Sequence, residues 1–153
     1  MTEIERILDQ LRRAFKGEAW HGPALLEILD GVDAGQAFAK PLPHAHSIWE
    51  IVLHISAWED AVRSRLGGEV VEPTGEQNWP PVRDTGDASW QRALGTLRSG
   101  HAALERAVAA LSDARLPETV PGQDYSVYFM LHGVVQHDLY HGGQIALLKK
   151  AAP

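Results

Sequence analysis

Apolar residues recur at helical spacing along nearly the whole chain. Ile4, Ile7, Leu8, Leu11 and Phe15 predict an amphipathic helix that stops near Gly17. Gly22-Pro23 restarts the chain, with Pro23 in a first-turn position where its missing N–H costs nothing. Leu25, Leu26, Ile28 and Leu29 predict a short second segment closed by Gly31, and residues 36–46 read as a connection. Ser47-Ile48-Trp49-Glu50 has the form of a capping box, in which Ser47 and Glu50 satisfy each other's orphan backbone donors. Ile48, Ile51, Val52, Ile55, Trp58, Val62 and Leu66 then carry a helix to Gly67-Gly68, with an apolar face wide enough to be packed on two sides.

Residues 67–88 hold four glycines and three prolines and show no period. Loops of that length in compact domains are commonly lids or binding elements. Trp79, within it, reads as a plug for the end of the bundle. Trp90, Leu94, Leu97, His101, Leu104, Val108 and Leu111 follow at alternating spacings of four and three, the seam of a third long helix. After a further Pro/Gly connection, Asp124 is the expected N-cap of a last helix. That helix carries Val127, Met130, Val134, His137, His141, Ile145 and Leu148 inward and ends in Lys149-Lys150, cations suited to a C-terminus. Four main helices, a short extra helix and a long loop, with no convincing strand, predict an all-α four-helix bundle.

Composition narrows the chemistry. A length of 153 residues fits one domain spanning 1–153 with its own core. The chain has no cysteine, which excludes disulfides, thiolate metal sites and cysteine nucleophiles. A formal net charge of −6 disfavours contact with a phosphate backbone, so no nucleic-acid partner is expected. The acidic start Met1-Thr2-Glu3-Ile4-Glu5 is unlike a secretory signal, and no apolar run is long enough to cross a bilayer. The expectation is a soluble cytoplasmic protein with no membrane partner.

Eight histidines stand against that absent cysteine, so any transition metal must rest on imidazole and carboxylate. His137 and His141 are four residues apart and share the inward seam of the last helix, the spacing at which two imidazoles can hold one ion. His54, three residues after Ile51 and four before Trp58, faces inward on its own helix. Two histidines from one helix and one from another would give three nitrogen ligands and leave coordination positions open, as catalytic sites do. The competing reading is three core histidines satisfied by hydrogen bonds. His101 reads as structural. His21, His44 and His46 are expected to face solvent, and His132 to point away from His137. Gly133, Gly142 and Gly143 each cost about 1 kcal/mol in a helix, so close backbone approach or room for a ligand is expected there. Alternatively, Gly142-Gly143 marks a kink or an early helix end.

The segment Ser47-Ile48-Trp49-Glu50-Ile51-Val52-Leu53-His54-Ile55-Ser56-Ala57-Trp58-Glu59 resembles the second-helix motif of the DinB/YfiT-like family. Gln136-His137-Asp138-Leu139-Tyr140-His141-Gly142-Gly143-Gln144-Ile145 resembles its last-helix motif, the more specific of the two. Ala19-Trp20-His21-Gly22-Pro23 and Asn78-Trp79-Pro80 are similar to elements of one branch. The resemblance implies an up-down-down-up four-helix bundle, often a homodimer. It also implies a divalent metal, commonly nickel or zinc, held by the residues matching His54, His137 and His141. Some relatives transfer low-molecular-weight thiols and others are described as metal-dependent hydrolases. A shared chemistry is a metal that lowers the pKa of water or thiol. No separate organic cofactor is implied, and the expected partner is a small-molecule substrate, including a thiol. Glu59, Asp138 and Gln144 are candidates for supporting the ligands or handling protons, or else for a solvated face or a helix–helix hydrogen bond. The alternative to an enzyme is a non-catalytic metal-binding or interaction bundle. Without cysteine, any thiol chemistry needs the thiol as cosubstrate.

Overall fold

Six α-helices organise the computed structural model, which describes residues 1–151. They are α1 (Glu3–Lys16), α2 (Leu25–Leu29), α3 (Ala34–Phe38), α4 (Ile48–Leu66), α5 (Asp87–Ala109) and α6 (Val127–Ala151). The described residues contain no strand beyond one isolated bridge between Thr119 and Ser126. The chain is all-α, and α1, α4, α5 and α6 form the bundle.

Helix starts follow their caps. Thr2 and Glu5 close a capping box ahead of α1, and Ser47 and Glu50 close another ahead of α4, with Glu50 N donating to Ser47 Oγ at 3.1 Å and Ser47 N to Glu50 Oε2 at 2.8 Å. Two expectations need correction. The connection at 36–46 is partly helical, because Asp33 caps Gln36 N at 2.8 Å and Ala34 and Ala37 are buried. The cap of α6 is Ser126, whose Oγ accepts from Phe129 N at 3.2 Å, and not Asp124. Just before that helix residues 121–125 form a tight turn closed by Val120 N donating to Tyr125 O at 3.0 Å and by the Thr119–Ser126 bridge, so the chain does not enter the helix any earlier.

The direction of each helix follows from which ends share a core. Trp49 and Trp90, near the starts of α4 and α5, meet at 5.1 Å between ring centroids. Val62 and Leu66 near the end of α4 pack in one cluster with Leu104 and Val108 near the end of α5. These helices are therefore parallel. Ile4 and Leu8 of α1 and Val127 and Met130 of α6 belong to that same cluster, so α1 and α6 run the other way. The order is up-down-down-up.

Joining two parallel neighbours forces the chain back along the length of the bundle. The segment 67–86 makes that return and lies against α4. Arg65 ties it down: Nε and Nη2 donate to Val71 O at 2.9 and 2.7 Å, and Nη1 to Tyr125 Oη at 2.8 Å. The side chain of Arg65 is 2% exposed, and these acceptors are what make such a buried cation tolerable.

The core is split. One apolar cluster holds Phe15, Trp49, Ile55, Leu97 and Ile145, and a second holds Leu11, Val62, Leu104 and Val134. Between them along the bundle lie buried polar side chains, Glu59, His101 and Asp138. Gly142 is buried against α2, where an added Cβ would meet Ile28 Cδ1 at 3.7 Å. It neither kinks nor ends α6, which continues to Ala151. No helix among the described residues is long and apolar enough to cross a membrane.

Candidate metal centre

His54 from the second turn of α4 and His137 and His141 from α6 come together between those helices. One nitrogen from each lies within 4.8 Å of the others. His54 Nε2 and His137 Nε2 are 3.1 Å apart, and the His137 and His141 rings are 4.4 Å apart between centroids, as their spacing on one helix face dictates.

The backs of two rings are fixed. His54 Nδ1 lies 2.6 Å from the backbone carbonyl of Asn78, which can only accept, so Nδ1 carries the hydrogen and Nε2 presents its lone pair inward. His141 Nδ1 lies 2.6 Å from Gln144 Oε1 and is oriented in the same way. Burial pushes the His54 pKa down to about 4, with neighbouring His137 and His141 adding to the effect against the Asn78 hydrogen bond. Burial likewise lowers His141. Both rings are therefore neutral near pH 7, the form that binds a metal. His137 Nδ1 is buried without a hydrogen-bond partner, and the nearest acid is Asp138 Oδ1 at 3.9 Å. Three imidazoles with inward nitrogens, two of them held from behind, are a donor set that fits one divalent ion.

The loop from α4 to α5 completes the wall. Trp79 does not merely plug the bundle: its ring stacks parallel on His54 at 3.8 Å and on His46 at 3.6 Å. Asn78 holds both neighbours, its backbone carbonyl meeting His54 and its side-chain Oδ1 accepting from Trp58 Nε1 at 2.8 Å. His46 is half-exposed, as expected, but packs on Trp79. His21 and His44 are exposed, and His132 packs at a tilt against Tyr128, away from the centre.

Behind the histidines lies the polar layer. His101 Nδ1 is 2.6 Å from Glu59 Oε1, and the imidazole stacks on Phe15 at 3.6 Å. Its Nε2 lies 3.4 Å from Glu105 Oε1, and Glu105 pairs with Lys16 at 2.6 Å and Arg12 at 2.9 Å. Burial raises the Glu59 pKa well above the usual carboxylate range, helped by repulsion from Asp138. Burial raises Asp138 too. Of the three candidates for supporting roles, Gln144 touches His141, whereas Glu59 and Asp138 are buried rather than solvated. The sequence reading missed Asn78 as a contact of His54. It also missed Glu105, which sits four residues after His101 on the same helix and closes this layer toward the surface.

An up-down-down-up bundle with three histidines converging between α4 and α6 defines a class of helical bundles with a candidate metal site between their helices. A profile of the DinB superfamily matches residues 19–145. The chain belongs to the DinB superfamily. No curated protein and no solved structure matches it.

Proposed function

We propose that this protein is a metal-dependent enzyme whose His54, His137 and His141 hold one nickel or zinc ion through Nε2. The proposed reaction is hydrolysis, or transfer of a low-molecular-weight thiol to a small electrophile. A divalent ion in such a site lowers the pKa of water or thiol and so supplies a nucleophile near neutral pH. The observation that carries this reading is the convergence of three imidazoles, two of them fixed from behind by Asn78 O and Gln144 Oε1.

The chain's own groups divide the remaining work. Asn78 and Gln144 hold two rings in the ligating tautomer, and Trp79 covers one face of His54. The Asp138 carboxyl, 3.9 Å from His137 Nδ1 and outside hydrogen-bond distance, is the acid nearest that ring. Three protein ligands leave positions for water or thiol and for substrate. With no cysteine in the chain, the thiol is a second substrate.

Thiol transfer is tested by following loss of free thiol with a bimane-type electrophile, offering several cellular thiols in turn. Turnover that EDTA abolishes, zinc or nickel restores, and His54→Ala eliminates supports the proposal. Turnover indifferent to EDTA and to His54→Ala defeats the metal mechanism, and one bound ion with neither thiol transfer nor hydrolysis leaves a non-catalytic metal bundle.

A further inference from the structure

A cavity of about 220 Å³ opens between α4 and α6, and His137 belongs to its wall. The other side chains that shape it include Trp58, Tyr125, Phe129 and Met130, with Gly133 on the α6 side. Trp58 is four residues after His54 on α4, and Gly133 is four residues before His137 on α6. The cavity therefore begins at His137 and extends at least one helical turn, roughly 5–6 Å, along both helices away from the three histidines.

Three features specify what fits. First, the walls are mainly aromatic and aliphatic, and the size exceeds the roughly 150 Å³ of an engineered protein cavity that takes up benzene. One ring or a short alkyl chain is the matching occupant. Second, the nearby cation is committed. The Arg65 guanidinium lies 5.6 Å from the Trp58 ring centroid, but Nε, Nη1 and Nη2 are each already engaged, by Val71 O, Tyr125 Oη and Glu72. It offers no free fork for a carboxylate or phosphate, so the site favours an uncharged group. Third, the space is kept open by the absence of a side chain at Gly133, where a Cβ would meet nothing within 4 Å. Gly133 thus gives up helix propensity in the middle of α6 without any packing contact that would require a glycine.

We infer that this cavity is the subsite for a single aromatic ring or similarly sized apolar group of the substrate, holding its reactive end beside His137. The inference rests on the metal-enzyme reading for the chemistry but not for the binding. A ring seated between Trp58 and Gly133 lies about one helical turn from His137, close enough for a short side arm to reach that imidazole. Electrophiles with a benzyl-like group are then favoured over bare one- or two-carbon ones.

The test is binding of 4-fluorobenzyl alcohol, read by fluorine NMR, to zinc-loaded wild type and two variants. Gly133→Leu fills the cavity from α6, while Gly133→Ala adds one methyl to the same wall and favours the helix. The expected result is saturable binding to wild type, weakened about threefold in Gly133→Ala and tenfold or more in Gly133→Leu, with zinc stoichiometry unchanged. Absence of saturable binding to wild type, or equal affinity in wild type and Gly133→Ala, overturns the inference even if Gly133→Leu does not fold. Zinc content measured on the same samples separates the two claims. Failure of wild type to hold zinc counts against the metal centre, whereas unaltered ring binding in zinc-loaded variants counts against the subsite alone.

Discussion

Hydrogen bonds behind the inward edges decide what two of the three imidazoles can do. Neutral His54 and His141 each carry one N–H, and the acceptors at Asn78 O and Gln144 Oε1 put it on Nδ1. Gln144→Ala frees the His141 ring to turn and to adopt the other tautomer. Loss of such an outer partner typically costs about 10–100-fold in metal affinity, and competition titration with a chromogenic zinc chelator will read it. An affinity unchanged by Gln144→Ala would show that the amide does not orient the ring. His101 makes a separate prediction. Burial lowers its pKa from 6.5 to about 4, so the unfolded chain takes up a proton on acidification before the native protein does. The stability tied to that imidazole is present above pH 6.5 and is lost as the pH falls toward 4. At 1.36 kcal/mol per pKa unit the loss amounts to about 3 kcal/mol. His54 and His141, lowered for the same reason, act in the same sense. Urea unfolding at pH 7 and pH 4.5 is expected to show a smaller acid loss in His101→Gln than in wild type, and equal losses would contradict this.

At the scale of elements, the connection between the parallel helices α4 and α5 is part of the centre. Its length follows from having to return along α4, and that path lays Asn78 and Trp79 over His54. Asn78→Ala keeps the backbone carbonyl but leaves Trp58 Nε1 without its acceptor. The donor is only half-buried, so its loss of a partner costs about 1 kcal/mol, to be read as a lower urea midpoint, and zinc affinity is expected to fall with it as the loop loosens. Unchanged stability would mean that the loop is held by Arg65 and the Trp79 stack alone. The sequence made the long helices legible because each carries a sustained apolar seam with caps. The histidine spacing was legible for the same reason, since residues four apart on one helix must share a face. The role of Asn78 was not, because a backbone carbonyl has no side-chain signature and its contact with His54 spans 24 residues. Trp79 was visible as a loop aromatic, but its stacking partners depend on the fold. The start of α6 falls at Ser126 and not at Asp124 because the turn closed by the Val120–Tyr125 hydrogen bond and the Thr119–Ser126 bridge holds Asp124 outside the helix.

Over the whole molecule, a polar layer divides two apolar clusters and connects the centre to the surface. It runs from His137 past Asp138 and Glu59 to His101, then to Glu105 with Lys16 and Arg12. The Asp138 oxygens and Glu59 Oε2 are buried without hydrogen-bond partners, a costly arrangement in a core that apolar residues could fill. Raised pKa values for both carboxyls reduce that cost by favouring protonated forms. Such a layer makes sense beside a group that carries positive charge. That returns the account to its central claim, one metal ion held by His54, His137 and His141. Isothermal titration of metal-stripped protein with zinc and with nickel, repeated on His54→Ala and His137→Ala, tests it most directly. The account predicts one ion bound per chain in wild type and at least a hundredfold weaker binding in each variant. No saturable binding, or the same affinity in wild type and both variants, would contradict it.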